Sequence, residues 1–411
     1  LQEEQEDDRR PFNRKYLARL AGYLRPYRGA VVVVCLSSIA GILFSLLGPY
    51  LIKIGIDNYI VPRQMAGFQR VILFLALTIS GQYLSLLLQG VLAAKAGQNA
   101  IFDLRQELFN HLQGLSMGFF DKQKAGRLIT RVTNDIDSLQ QLLSSGITTL
   151  VTDTLSFFGV FAFMIWMDWR LTLVTLITLP IIIWLVFYVR RRLLMGWRQI
   201  RKKLSNVNAT LNESISGIRV TKAFNREEEN HRLFAEINNE HFQATQKVVP
   251  LSGFFWSSVN FVNYLGTALI LGIGGLLLRY GWVTLGVLAA FMNYINRLFQ
   301  PIMNLSTLFN MIATAMASCE RIFELMDIRP QVLEAANPVA IGEIRGEVEF
   351  KNVSFKYAGS DEVLHDFTLH VRPGETVALV GPTGAGKTTV INVLCRFYDI
   401  TGGQVLIDGI D

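Results

Sequence analysis

Eight consecutive residues, Gly381 to Thr388 (GPTGAGKT), carry the densest chemistry in this sequence. They satisfy the spacing G-x-x-x-x-G-K-[ST] at every fixed position. Glycine at Gly381, Gly384 and Gly386 lets backbone N–H groups close around phosphate oxygens, because a side chain there would block the approach. The N-terminus of a following helix adds partial positive charge. Lys387 can then reach β- and γ-phosphates, and the Thr388 hydroxyl can ligate Mg2+. The flanks suit this chemistry. Glu375 to Val380 (ETVALV) predicts a short apolar strand after the Pro373-Gly374 turn, and Thr389 to Phe397 predicts the start of a helix.

The rest of the chain has the composition of a membrane protein. Of 411 residues, 51% are hydrophobic and only 18% charged, against roughly 25% charged in soluble domains. Mean hydropathy is +0.32. The net charge of +6 could point to nucleic acid. The basic residues lie beside apolar runs, however, so orientation in a bilayer accounts for them and no nucleic-acid partner is expected. Cys35, Cys319 and Cys395 are too scattered for a disulfide framework or a metal site. The N-terminus, LQEEQEDDRR, is acidic and is no signal peptide, and its leading Leu suggests a start other than the natural one.

Apolar runs, uncharged except for Asp153 in the third and Arg297 in the sixth, predict six spanning helices, each needing about 20 residues. They lie between Arg28 and Lys53, Arg70 and Lys95, Gly146 and Asp168, Arg170 and Arg190 (with Pro180 in the middle), and Lys247 and Arg279, and from Trp282 past Arg297. Trp166, Trp169, Tyr280 and Trp282 mark span ends, where amphipathic rings favour the headgroup level. Alternate connections carry 25 against 5 Lys and Arg, which places both termini in the cytoplasm. The two long cytoplasmic connections read as helical hairpins running well past the bilayer, with tips at Gly118–Gly126 and Ser216–Phe224. Ahead of the first span, Phe12, Tyr16, Leu20 and Tyr23 recur at helical spacing. That suits a helix lying in the membrane interface, or a solvated one. Asp327 to Gly346, with Pro330 and Pro338, reads as a linker. Glu347–Tyr357, Val363–Val371 and Gln404–Asp408 read as strands.

Several stretches together resemble an ABC exporter half-transporter of the bacterial multidrug and lipid-flippase type. FFDKQKAGRLITRVTNDIDSLQ (Phe119 to Gln140) and SISGIRVTKAFNREEEN (Ser214 to Asn230) resemble its two intracellular hairpins. ASCERIFELMD (Ala317 to Asp327) resembles the end of its sixth helix, and GEVEFKNVSFKY (Gly346 to Tyr357) the opening of its nucleotide-binding domain. The implied fold is an all-α six-helix transmembrane domain followed by the truncated start of an α/β P-loop nucleotide-binding domain. The expected divisions are a cytoplasmic N-terminus and elbow helix (1–28), the transmembrane domain (29–326), a linker (327–345) and the nucleotide-binding part (346–411).

The resemblance implies an ATP site made by Tyr357, stacking on adenine, with Gly381, Pro382, Thr383, Gly384, Ala385, Gly386, Lys387, Thr388 and Thr389. Thr388 would hold Mg2+ through ATP. The implied activity is ATP-driven efflux of lipophilic or amphipathic molecules (drugs, lipids or peptides) across the inner membrane by alternating access. The implied partner is a second half-transporter, in a homodimer or heterodimer surrounded by membrane lipid. The hairpin tips, Phe120 and Phe224 among them, would couple the domains. The family's signature sequence, Walker B aspartate, catalytic glutamate and switch histidine are expected beyond Asp411, so these 411 residues alone should be inactive and the catalytic residue is unknown. An ATP-gated channel, a regulatory or degenerate subunit, or an importer on the same scaffold are the alternatives. A soluble P-loop enzyme is excluded by the six spans. Finally, Asp153 and Arg297 fall about 22 Å from the outer ends of their spans. They either pair with each other, line a cavity, or extend to the inner headgroups.

Overall fold

The computed structural model describes residues 14–333, 342–357 and 359–411. Pro11, Phe12, Pro338 and the acidic N-terminal stretch lie outside the described residues. Among the described residues, six helical stretches are long and apolar enough to cross a membrane: Arg25–Ile60, Phe68–Gln113, Ala125–Met167, Trp169–Ser216, Glu227–Arg279 and Leu285–Met326. Within and around them run α1 (Arg14–Gly22), α2 (Arg28–Gly55), α3 (Phe68–Gln113), α4 (Met117–Phe120), α5 (Ala125–Thr130), α6 (Ile136–Gln141) and α7 (Ile147–Met167). They continue as α8 (Trp169–Leu176), α9 (Thr178–Ser216), α10 (Ile218–Ala223), α11 (Glu227–Arg279) and α12 (Leu285–Met326). At 53 residues, α11 is about 80 Å long, well beyond the ~30 Å of a hydrocarbon core. The expected hairpin tips hold short helices: α4 and the turn before α5 at one, α10 at the other.

The chain divides into two units. One comprises Gly29–Ala93 and Ser145–Asn310. Its core gathers Ile42 and Leu46 of α2, Val160 and Met164 of α7, Ile182 of α9, Ile270 of α11, and Phe291 and Tyr294 of α12. Small residues let helices approach closely, the usual device where lipid offers no hydrophobic drive. A Cβ on Gly266 would sit 2.4 Å from Ile295 Cδ1 and 3.1 Å from Thr178 Cγ2, and one on Gly274 would sit 2.2 Å from Leu288 Cδ2. The fourth span is not continuous. It breaks at Ile177 between α8 and α9, and Pro180 lies in the first turn of α9, where its missing N–H costs least. The Thr175 hydroxyl donates to Leu171 O (2.9 Å) and the Thr178 hydroxyl to Thr175 O (2.7 Å), so hydroxyls satisfy backbone at the break. Two polar ties join the first span (Arg25–Ile60), which continues α2 through Asp57, to α12. Asp57 accepts from the Thr284 hydroxyl (2.6 Å) and the Gly286 N–H (2.8 Å), and the buried Tyr294 hydroxyl donates to Leu46 O (2.5 Å).

The other unit takes in the described residues of Leu1–Arg28, Ala94–Ser144 and Met311–Asp411. Ala100, Leu104 and Leu108 of α3, Ile136 and Leu139 of α6, and Ala315, Cys319, Ile322 and Phe323 of α12 form one core. Asp135 binds Arg321 through both oxygens (Nε 3.0 Å, Nη2 2.5 Å) and also accepts from Ser318 (2.9 Å). The aromatic stripe of α1 faces this core. Tyr16 and Tyr23 stack on Phe323, Arg19 lies over the same ring and pairs with Asp327 (2.6 Å), and Leu20 is buried. The apolar face of α1 thus has a protein partner in Phe323, which the period of 3.6 alone does not identify.

In the same unit, β1 (Val348–Lys356), β2 (Glu362–Val371) and β3 (Gly402–Ile407) form an antiparallel sheet in the order β2-β1-β3. It packs Phe350, Val353, Phe355 and Leu364 against Val390 and Val393 of α13 (Lys387–Leu394). Asp408 accepts from three consecutive amides, Arg345, Gly346 and Glu347. Those donors, the Glu347 amide foremost, hold its carboxyl below the usual carboxylate range. The predicted strand Glu375–Val380 is not formed. Among the described residues no strand pairs with it, and Val380 is 93% exposed. An apolar run becomes a strand only when neighbours complete its ladder.

Candidate nucleotide site

The loop from Gly381 to Gly386 turns with the Ala385 N–H donating to Pro382 O (3.2 Å). Gly384 and Gly386 take the left-handed region at φ +92° and +85°, where a side chain is strained. A Cβ on Gly386 would also meet Leu364 Cδ2 at 3.1 Å. Immediately after it α13 begins at Lys387, two residues earlier than the sequence suggested. The Lys387 ammonium folds back across the loop and donates to Gly381 O (2.8 Å) and Pro382 O (2.7 Å). It thus sits over the concave side of the turn. Thr388 is exposed on the first helical turn, and Thr389 is buried. Exposed Gly381, Pro382, Thr383, Gly384 and Ala385 leave their backbone open to a ligand. An ammonium, left-handed glycines and a helix N-terminus fit a phosphate chain.

Tyr357 is brought to this helix. Its hydroxyl lies 3.3 Å from the Thr389 hydroxyl and accepts from Asn392 Nδ2 at 3.3 Å. Its ring meets Phe355 edge-on at 4.8 Å and Tyr398 at 5.1 Å. Asn392 escaped sequence reasoning, although its three-residue spacing from Thr389 puts both on one helix face. Tyr398 escaped it too. Its hydroxyl donates to Asp121, in the turn after α4, and desolvation together with this bond pushes it up to about 12. Tyr398 also passes under α4, where a Cβ on Gly118 would meet its ring at 3.3 Å. This contact between a hairpin tip and the segment following the phosphate loop has no motif of its own.

Phe120 and Phe224 differ. Phe120 packs on the core of its unit, edge-on to Phe119 at 5.3 Å, whereas Phe224 is 75% exposed. Asp153 does not pair with Arg297. It accepts from Asn304 Nδ2 (3.3 Å), seven residues further along α12. Counting from span ends assumed equal starting heights, and the helices are offset by two turns, about 10 Å.

Residues 31–302 match the family described as the ABC transporter transmembrane region, and residues 364–411 match the ABC transporter family. The chain belongs to the ABC transporter family. An uncharacterised ABC transporter ATP-binding protein of Bacillus subtilis is 37% identical over 407 residues, 98% of this chain and 67% of that protein. An ATP-dependent lipid A-core flippase of Syntrophus aciditrophicus is 31% identical over 395 residues, 96% of this chain and 65% of the flippase. A fatty acid ABC transporter ATP-binding/permease protein of Mycobacterium bovis is 36% identical over 355 residues, 86% of this chain and 56% of that protein. This ABC transporter chain therefore spans between about half and two thirds of these relatives. It is a multi-pass membrane chain, and its family implies ATP binding.

Proposed function

We propose that this chain is one subunit of an ATP-driven exporter of lipophilic or amphipathic compounds, working as a dimer in the inner (plasma) membrane with both termini cytoplasmic. The observation that carries the proposal is the loop Gly381–Thr388, with Lys387 drawn across its left-handed glycines, in one chain with six spanning helices. The bias of Lys and Arg toward alternate connections supports the orientation. The names of relatives, which include a lipid flippase, a fatty acid transporter and a probable multidrug resistance transporter, support the substrate class.

ATP held here supplies the free energy of hydrolysis, and Mg2+ neutralises charge on its phosphates. The work of this chain is positioning. Backbone amides of Gly384 to Lys387 would cradle the phosphates, and Lys387 would exchange its two carbonyl partners for phosphate oxygens. The Thr388 hydroxyl would hold the metal, and the Tyr357 ring would border the base. Substrate pumping follows only if nucleotide favours one membrane conformation over the other.

Lys387→Ala in the full-length protein, reconstituted in lipid, tests the reading. Removing the cation nearest the developing phosphate charge should lower ATP turnover about a hundredfold or more, with transport lost in parallel. Near-normal turnover would reject the loop as the catalytic nucleotide site. The Lys387 side chain packs into no core, so the amount of folded protein should not change.

A further inference from the structure

Where α7 crosses α12, a pocket of about 220 Å³ opens between Leu150–Phe158 and Pro301–Leu308. This is below the roughly 300 Å³ of drug-sized sites and suits one ring with a small head. Its walls are apolar, including Phe157, Phe158, Pro301 and Leu305. The two phenylalanines stand edge-on at 5.6 Å, so they present a ring face and a ring edge at right angles. Asp153 supplies the carboxylate on this wall, with the Thr154 hydroxyl beside it.

That carboxylate is half-buried within a spanning helix, and the structure gives it a single long hydrogen bond, from Asn304. An ionised carboxylate accepts about four hydrogen bonds. Among the described residues no Lys, Arg or His forms an ion pair with Asp153. Ionisable groups inside spans pair with another group or face a cavity, and they mark substrate or ion paths. Arg297, the nearest basic residue along α12, lies two turns away from the Asn304 contact and cannot serve. The missing complement is thus a cation, which a phenylalanine ring face can receive as well.

We infer that Asp153 and this pocket form a subsite for a lipophilic cation, an amine or quaternary ammonium carried on an aromatic or alkyl body. Asn304 orients the carboxylate, and Phe157 and Phe158 receive the apolar part. The inference names a substrate class for the exporter proposed above and rests on that reading for its transport step, though not for binding.

The test uses the full-length protein in lipid nanodiscs with radiolabelled benzyltrimethylammonium, and neopentylbenzene, its neutral carbon isostere, as competitor. The permanent charge removes titration of the probe. The cation should bind at least about tenfold more tightly than the isostere competes, equivalent to about 1.4 kcal/mol. Asp153→Asn should weaken the cation by a similar factor, and Asp153→Glu should keep most of the affinity. Equal competition by the isostere would overturn the inference without any variant, since the pocket would then select only apolar bulk. Cation affinity within about twofold of wild type in Asp153→Asn would overturn it too. Equilibrium binding needs no hydrolysis. Tight, Asp153-dependent binding in a protein without ATP turnover therefore upholds the subsite while the exporter reading fails, and turnover with no cation preference has the opposite meaning.

Discussion

Tyr357 holds two kinds of contact at once: a hydroxyl shared with Thr389 and Asn392, and a ring edged by Phe355 and Tyr398. If the ring borders the base of ATP, apolar and π contact carries its contribution and the phosphates are untouched. Tyr357→Ala should therefore raise the KM for ATP severalfold while lowering kcat less, and Tyr357→Phe should shift KM by less than about threefold, because both hydroxyl contacts are long. Steady-state ATPase kinetics of the full-length protein decide this; equal damage from Phe and Ala would assign the role to the hydroxyl. At this scale the phosphate loop was legible because each of its residues has a local reason for its type: glycine for the left-handed turn, lysine for charge, threonine for a hydroxyl. Asn392 and Tyr398 were not legible. Their partners, Tyr357 and Asp121, lie 35 and 277 residues away in sequence, and no local pattern encodes such a meeting.

Helices were read well and their neighbours poorly. The apolar runs located all six stretches, since lipid imposes length and hydrophobicity on each span separately. The direction in which α1 turns its aromatics, and the offset that gives Asp153 to Asn304 in place of Arg297, depend on packing. The strand expected before the phosphate loop failed for a related reason: a strand needs a paired neighbour, and among the described residues no strand pairs with Glu375–Val380. Packing is testable along α11. Gly266 faces Ile295 and Thr178 with no room for a side chain, whereas Gly272 on the same helix meets nothing within 4 Å. Gly266→Leu should destabilise by about 1–3 kcal/mol or more through overpacking, and Gly272→Leu should be nearly neutral. Thermal unfolding of the purified proteins in matched lipid compares them; equal shifts would mean that α11 does not approach its neighbours through Gly266.

If the chain works as the proposed exporter dimer, the hairpin tips would relay nucleotide state without touching nucleotide. Phe120 is partly buried against a core, so Phe120→Asp should reduce the yield of folded protein by bringing a charge against apolar neighbours. The Phe224 ring is free, so Phe224→Asp should leave yield and basal ATPase intact and abolish stimulation of ATPase by substrate. If Phe224→Asp remains fully stimulated, the second tip takes no part in coupling. Span count is a global property that a sequence reveals early, because it sums many residues of one kind; a relay would depend on one or two contacts and leave no such pattern. The ties between the first span and α12 have a mechanical consequence. Asp57 clamps the first turn of α12, and Tyr294 fastens the same pair again about 16 Å along that span. Two fixings at different heights remove both sliding and rotation between the two rods, so they must swing as one stiff blade. In the proposed exporter, a passage toward the outside would then part along a seam other than this one.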